Sequence, residues 1–187
     1  NLAENTIVIF TSDNGGLVDN RSKNTVTLNA PLRSGKGDAY EGGVRVPLIV
    51  RYPGKIPAGT RSSELAISPD FYPTLLSLTG IAPAVNADFD GADLGPVLTG
   101  AAQSTGRDAV FFHYPHYHTE GATPYSAIRK GQWKLLQFYE GSRVELYHLA
   151  RDPFRTAVTL PCKLSIQKNA SLNLGMNIAE IFDGISP

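Results

Sequence analysis

The chain contains one cysteine, Cys162, in 187 residues, so no internal disulfide can staple it and its redox compartment is left open. Neither sign of charge is in excess: 17 Lys and Arg stand against 17 Asp and Glu. That balance argues against a nucleic-acid or anionic-membrane partner, because both select a strongly basic surface. No run of about 18 apolar residues occurs, so the pattern of a bilayer-crossing helix is missing. Gly-x-x-x-x-Gly-Lys-Ser/Thr is also missing, which excludes a nucleotide cradle of that type. Asn1 opens the chain without an initiating methionine or a leader, which leaves targeting undecided. What remains is the composition of an ordinary α/β protein, long enough to bury a core.

Two short elements carry chemistry. Thr6-Ile7-Val8-Ile9-Phe10 is an unbroken β-branched and aromatic run closed by Thr11-Ser12-Asp13-Asn14-Gly15-Gly16, which predicts a strand buried on both faces, as in a parallel sheet, ending in a turn. In such sheets ligands bind beyond the carboxyl ends of the strands, where Asp13 and Asn14 fall. A carboxylate and an amide carbonyl are hard oxygen donors suited to calcium or magnesium. Asp13-Asn14-Gly15-Gly16 also makes an ordinary turn. The second element is Gly35-Lys36-Gly37. Glycines let a backbone approach a ligand closely, and a lysine held there can aim its ammonium at an anion, although a solvated surface lysine has the same local sequence.

Together and in this order, these elements resemble one family. The stretch from Thr11 to Gly16, then Gly35-Lys36-Gly37, then Tyr40-Glu41-Gly42-Gly43-Val44-Arg45-Val46-Pro47, is similar to the second half of the type I sulfatases of the alkaline-phosphatase superfamily. Tyr52-Pro53-Gly54-Lys55-Ile56-Pro57 and Ser68-Pro69-Asp70-Phe71-Tyr72-Pro73 continue the likeness, which covers about residues 1–153. The resemblance implies an α/β fold: the C-terminal portion of an alkaline-phosphatase-like sandwich (residues 1–105), followed by a small antiparallel β-sheet subdomain with a helix (106–153). It implies that Asp13 and Asn14 are part of a calcium site, with magnesium as an alternative. It implies further that Lys36 contacts the sulfate and stabilises charge on the leaving oxygen. Glu41 and Arg45, four residues apart, are expected to pair locally and hold the loop. An extracytoplasmic location (periplasmic, secreted or lysosomal) and a sulfated small molecule or glycan as ligand follow from the same likeness.

One part of the family pattern is missing. Type I sulfatases cleave with a formylglycine made from the cysteine or serine of Cys/Ser-x-Pro/Ala-x-Arg, and no such pattern occurs in this chain. Cys162 sits in Leu160-Pro161-Cys162-Lys163, with proline on the wrong side. The nucleophile and further metal ligands are therefore expected in a missing N-terminal half, and the chain reads as an inactive fragment. A phosphodiesterase or phosphotransferase relative of the same superfamily is an alternative, because sulfate and phosphate esters share tetrahedral geometry. An inactive binding remnant is another.

Along the rest of the chain, Val44 to Tyr52 suggests a strand. Ser68-Pro69 suggests a cap and first helical residue, ahead of Phe71, Leu75, Leu76 and Leu78 as packing positions, with Gly80 as the stop. Residues 81–105 read as a connection. From Asp108 onward, Ala109–Tyr114, Tyr125–Arg129, Trp133–Tyr139 and Val144–Tyr147 are separated by turn signals and predict antiparallel hairpins. Trp133 is expected in the core. Phe112-His113-Tyr114-Pro115-His116-Tyr117-His118 gathers three imidazoles, and Pro115 disrupts any regular ligand face. His116 is the candidate to grip a sugar or aryl ring at a loop rim, the alternatives being packing or solvent exposure. Residues 154–187 do not continue the family pattern, and a frameshift or truncation is the expected cause.

Overall fold

The computed structural model describes residues 2–18, 27–119, 122–141 and 143–150, together with the strand Val158–Thr159. The first apolar run forms β1 (Val8–Thr11) and pairs antiparallel with β2 (Leu48–Arg51), Phe10 standing opposite Ile49. The expected environment is not found. β1 is antiparallel and mostly exposed, because β2 alone pairs with it and no described segment covers its faces; Phe10 and Ile49 are each about 60% exposed. A continuous apolar run needs a layer on each side, and the described residues supply neither.

The described residues between β1 and β2 include the turn at Asp13–Asn14, the loop that carries Lys36 and the one-turn α1 (Glu41–Val44). Beyond β2, α2 (Phe71–Thr79) is preceded by a 3-10 turn over Ser68–Asp70 and closed by Gly80. Ser68 lies inside that turn rather than capping it. The cap comes from Asp70, whose Oδ2 accepts the Ile67 N–H at 2.8 Å. Of the expected packing positions Leu78 is buried, whereas Leu75 is exposed and Pro73 and Thr74 take the inner face instead. The connection at 81–105 contains a further short helix, α3 (Gly95–Thr99), entered through Pro96.

The C-terminal strands follow the sequence pattern closely. β3 (Ala109–Tyr114), β4 (Tyr125–Lys130), β5 (Trp133–Phe138) and β6 (Val144–His148) form an antiparallel sheet in sequence order, with β7 (Val158–Thr159) on its edge. Each hairpin keeps one register, Ile128 facing Leu135 across β4–β5 and Leu135 facing Leu146 across β5–β6. Period-two alternation gives the sheet two apolar faces. One gathers Ala127, Leu136, Phe138 and Tyr147 against Ala39 and Tyr40 of the lysine loop. The other gathers Ile128, Leu135, Val144 and Leu146, with Trp133 packed against them as expected of a core residue. Apart from Val158–Thr159, the tail at 154–187 and Cys162 lie outside the described residues.

Candidate functional site

The turn that ends β1 and the loop that carries Lys36 are joined through their backbones. The Gly15 N–H donates to the Gly43 carbonyl at 2.9 Å, and the Lys36 N–H donates to the Gly16 carbonyl at 3.1 Å. The Gly42 N–H donates to the Arg33 carbonyl at 2.8 Å. Such an approach excludes side chains. A Cβ on Gly15 would overlap the Gly42 carbonyl, and one on Gly42 would overlap the carbonyls of Arg33 and Ser34. The Gly-Gly pairs at 15–16 and 42–43 are thus the reason the two elements can meet.

Within this junction Asp13 is exposed and Asn14 half-buried. Asp13 Oδ1 accepts the Asn14 N–H at 3.0 Å, and Oδ2 has no hydrogen bond among the described residues. Asn14 donates its amide nitrogen to the Gly15 carbonyl at 3.0 Å, which leaves its Oδ1 as the acceptor. One carboxylate oxygen and one amide oxygen fit a hard cation, as part of a six- to eight-oxygen shell. No cluster of three or more His, Cys, Asp or Glu suited to a metal occurs among the described residues.

Asp13, Asn14, Gly37 and Asp38 line one groove of about 2380 Å³, and Tyr114 and His118 line it from β3 and the loop that follows. Lys36 is exposed, between the buried Gly35 and the groove residue Gly37, and does not itself line the groove. His116 is exposed and set edge-on to Tyr114, with ring centroids 5.6 Å apart. The structure therefore brings the metal-type pair and the lysine loop together. It places Tyr114 and His118, rather than His116, against the groove.

Fastenings not visible in the local sequence hold the lysine loop to the sheet. The Arg33 guanidinium lies 3.7 Å from the Tyr40 ring centre and donates to the Tyr147 hydroxyl at 2.8 Å. Tyr40 and Tyr147 both donate to Glu145 Oε2, at 3.0 and 2.5 Å. Burial, with the Glu145 carboxylate beside it, pushes the Tyr40 hydroxyl up to about 12. Glu41 is buried under the sheet, and its chief partner is Lys134 of β5 at 2.8 Å rather than the local Arg45, which stands 4.0 Å away. Burial pulls the Lys134 ammonium below its ordinary value, and Glu41 offsets part of that. Alternation of the strand held the signal for this contact. Lys134 occupies an inward position in register with Leu136 and Phe138, where a charge needs a buried partner.

Residues 35–171 match the family model described as N-sulphoglucosamine sulphohydrolase, C-terminal, a match that begins one residue before Lys36 and continues past Pro153. Over 186 residues the chain is 39% identical to a sulfatase of Formosa agariphila, with 94% of the chain and 32% of that relative covered. Over 141 residues it is 44% identical to human arylsulfatase A, with 75% of the chain and 26% of that relative covered. Among solved structures it superposes with a TM-score of 0.64, at 31% identity, on BT4656 in complex with its substrate D-glucosamine-2-N,6-O-disulfate, covering 80% of this chain and 29% of that one. The chain spans about a quarter to a third of the length of these relatives. An alkaline-phosphatase-like α/β architecture carrying a small antiparallel sheet is the fold of the sulfatases. The chain belongs to the sulfatase family, over that family's C-terminal region.

Proposed function

We propose that the chain supplies part of the active site of a sulfate-ester hydrolase acting on a sulfated sugar or aryl sulfate. Asp13 and Asn14 would hold a calcium ion, or magnesium, through their oxygens, as part of a shell completed by other ligands. When bound, such an ion offsets the negative charge of a sulfate group. Lys36 contributes an ammonium that binds the sulfate and favours charge building on the leaving oxygen, an interaction worth most in the transition state. Asp38 accepts from Ser34 Oγ at 2.6 Å and from the Ala39 N–H at 2.9 Å, which fixes the turn around that lysine. His116, set edge-on to the groove residue Tyr114, would contact the sugar or aryl ring. The observation that carries this reading is the pair of backbone hydrogen bonds joining the Asp13–Asn14 turn to the Lys36 loop.

The formylglycine nucleophile of the family has no counterpart motif in these 187 residues, so the attacking step is left unserved and the isolated chain is expected to be inactive. Family membership also supports an extracytoplasmic location. The reading is tested on the full chain with calcium chloride and D-glucosamine-2-N,6-O-disulfate as probes. Calcium binding should be lost in Asp13→Ala, and sugar binding should weaken in Lys36→Ala and, to a smaller extent, in His116→Ala. Turnover of an aryl sulfate by the chain alone, or calcium binding that survives Asp13→Ala, contradicts it.

A further inference from the structure

Asn29 makes three hydrogen bonds across the junction between the two loops. Its Oδ1 accepts the Gly16 N–H at 2.9 Å, while its Nδ2 donates to the Gly16 carbonyl at 2.7 Å and to the Ser34 carbonyl at 3.1 Å. The planar amide thus pairs with both polar groups of Gly16, two residues after Asn14, in the manner of a neighbouring strand. Its second N–H reaches Ser34, two residues before Lys36. One N–H on one side and two carbonyls on the other fix which amide atom points where. Half-buried Asn29 is 13 residues from Gly16 and 5 from Ser34 in sequence, and no other described side chain hydrogen-bonds to both loops.

We propose that Asn29 is a positioning residue that sets the Asp13–Asn14 turn against the Lys36 loop. The proposal rests on the functional reading of those three residues. Aspartate keeps the acceptor but turns a carboxylate oxygen toward two carbonyl oxygens, losing both donors. Alanine leaves the Gly16 N–H and the Ser34 carbonyl without these partners, and the Gly16 carbonyl with the Lys36 N–H alone. Serine is too short to span Gly16 and Ser34 together. Outer groups that orient metal ligands typically change metal affinity about 10- to 100-fold when removed.

The test uses the full chain and calcium chloride, with calcium affinity read from the Asn14 amide in 1H–15N spectra and hydrogen exchange read at the Lys36 amide, which donates to Gly16. Asn29→Asp should weaken calcium about tenfold or more and accelerate Lys36 exchange on the order of tenfold. Asn29→Ser, the milder change, should do the same to a smaller extent and covers the case in which Asn29→Asp does not fold. Thr74→Ala is the control, since it removes a buried hydrogen bond from the Leu94 N–H far along the chain. It should lower the melting temperature while leaving both readouts at wild-type values. Wild-type calcium affinity and exchange in both Asn29 variants overturn the proposal, as does an equal response in Thr74→Ala. If the unaltered chain shows no calcium-dependent shift at Asn14, the metal reading fails, and Lys36 exchange alone still decides the role of Asn29.

Discussion

Lys134 Nζ lies 2.8 Å from Glu41 Oε1, with both side chains almost sealed from solvent and 93 positions apart in sequence. This contact docks α1, and through it the lysine loop, onto the middle of the antiparallel sheet. Glu41 Oε2 faces Arg129 at 3.7 Å and Arg45 at 4.0 Å without a hydrogen bond among the described residues. The carboxylate is therefore balanced by charge on one side and by a direct bond on the other.

Lys134→Met is expected to destabilise the chain by about 3 kcal/mol, because it removes the one direct hydrogen bond to a buried carboxylate and leaves it only the looser ion pairs with Arg129 and Arg45. The double variant Lys134→Met/Glu41→Leu should recover much of that loss, since an apolar pair of similar volume removes the orphaned charge. Urea unfolding of the four forms of this cycle measures the coupling. Strict additivity would mean that the two side chains do not interact.

Acid sensitivity centres on Asp70. Burial pushes its carboxyl up, but the Arg107 guanidinium, at 2.7 and 2.5 Å, and the N–H groups of Ile67 and Ala92 hold it below its ordinary value. A carboxylate whose folded pKa is depressed adds stability that is present above its unfolded value, ~3.9, and is lost as pH falls through the folded value. Denaturant unfolding between pH 5 and pH 2 should show that loss, with a shallower slope in Asp70→Asn. The variant should also be weaker at neutral pH by about 3 kcal/mol, because Arg107 then loses its buried partner. An unchanged slope would remove Asp70 from the account.

Close backbone contact at the junction predicts intolerance of the smallest side chain. Gly15→Ala and Gly42→Ala each drive a methyl group into a carbonyl, at a cost of about 1–3 kcal/mol for overpacking. They should also weaken calcium binding at Asn14, whereas alanine at Gly54, whose surroundings are open, should not. Calorimetry and calcium titration together separate the two effects.

The β1–β2 ribbon leaves Phe10 and Ile49 facing solvent side by side. Exposed apolar surface of this sort binds anilinonaphthalene sulfonate and promotes association. Phe10→Ser/Ile49→Thr should reduce dye fluorescence and raise solubility, without disturbing the five-stranded sheet. Equal dye binding by the variant would show that the ribbon is covered in solution.

Much of the fold was legible in the sequence, for local reasons. Strands β3 to β6 were placed within one or two residues because alternation and the turns at Lys130-Gly131 and Glu140-Gly141 are short-range signals. The partnership of the Asp13–Asn14 turn with the Lys36 loop came from the order of motifs rather than from any single one. What the sequence hid was long-range. Lys134 looks like an ordinary strand lysine until the parity of β5 is followed inward, and Asn29 looks like a loop residue until its bonds to Gly16 and Ser34 are seen. β1 misled in the opposite direction: its composition suits a covered strand, whereas the described residues leave it open.

The central claim is that the Asp13–Asn14 turn and the Lys36 loop share one cavity. Manganese, a hard cation suited to the same oxygen ligands, can be titrated into the full chain while paramagnetic broadening of the backbone amides is recorded. The account predicts joint broadening of Asn14, Gly15 and Gly16 with Lys36 and Gly37, abolished in Asp13→Ala. Broadening confined to residues 13–16, with Lys36 and Gly37 untouched, would contradict it.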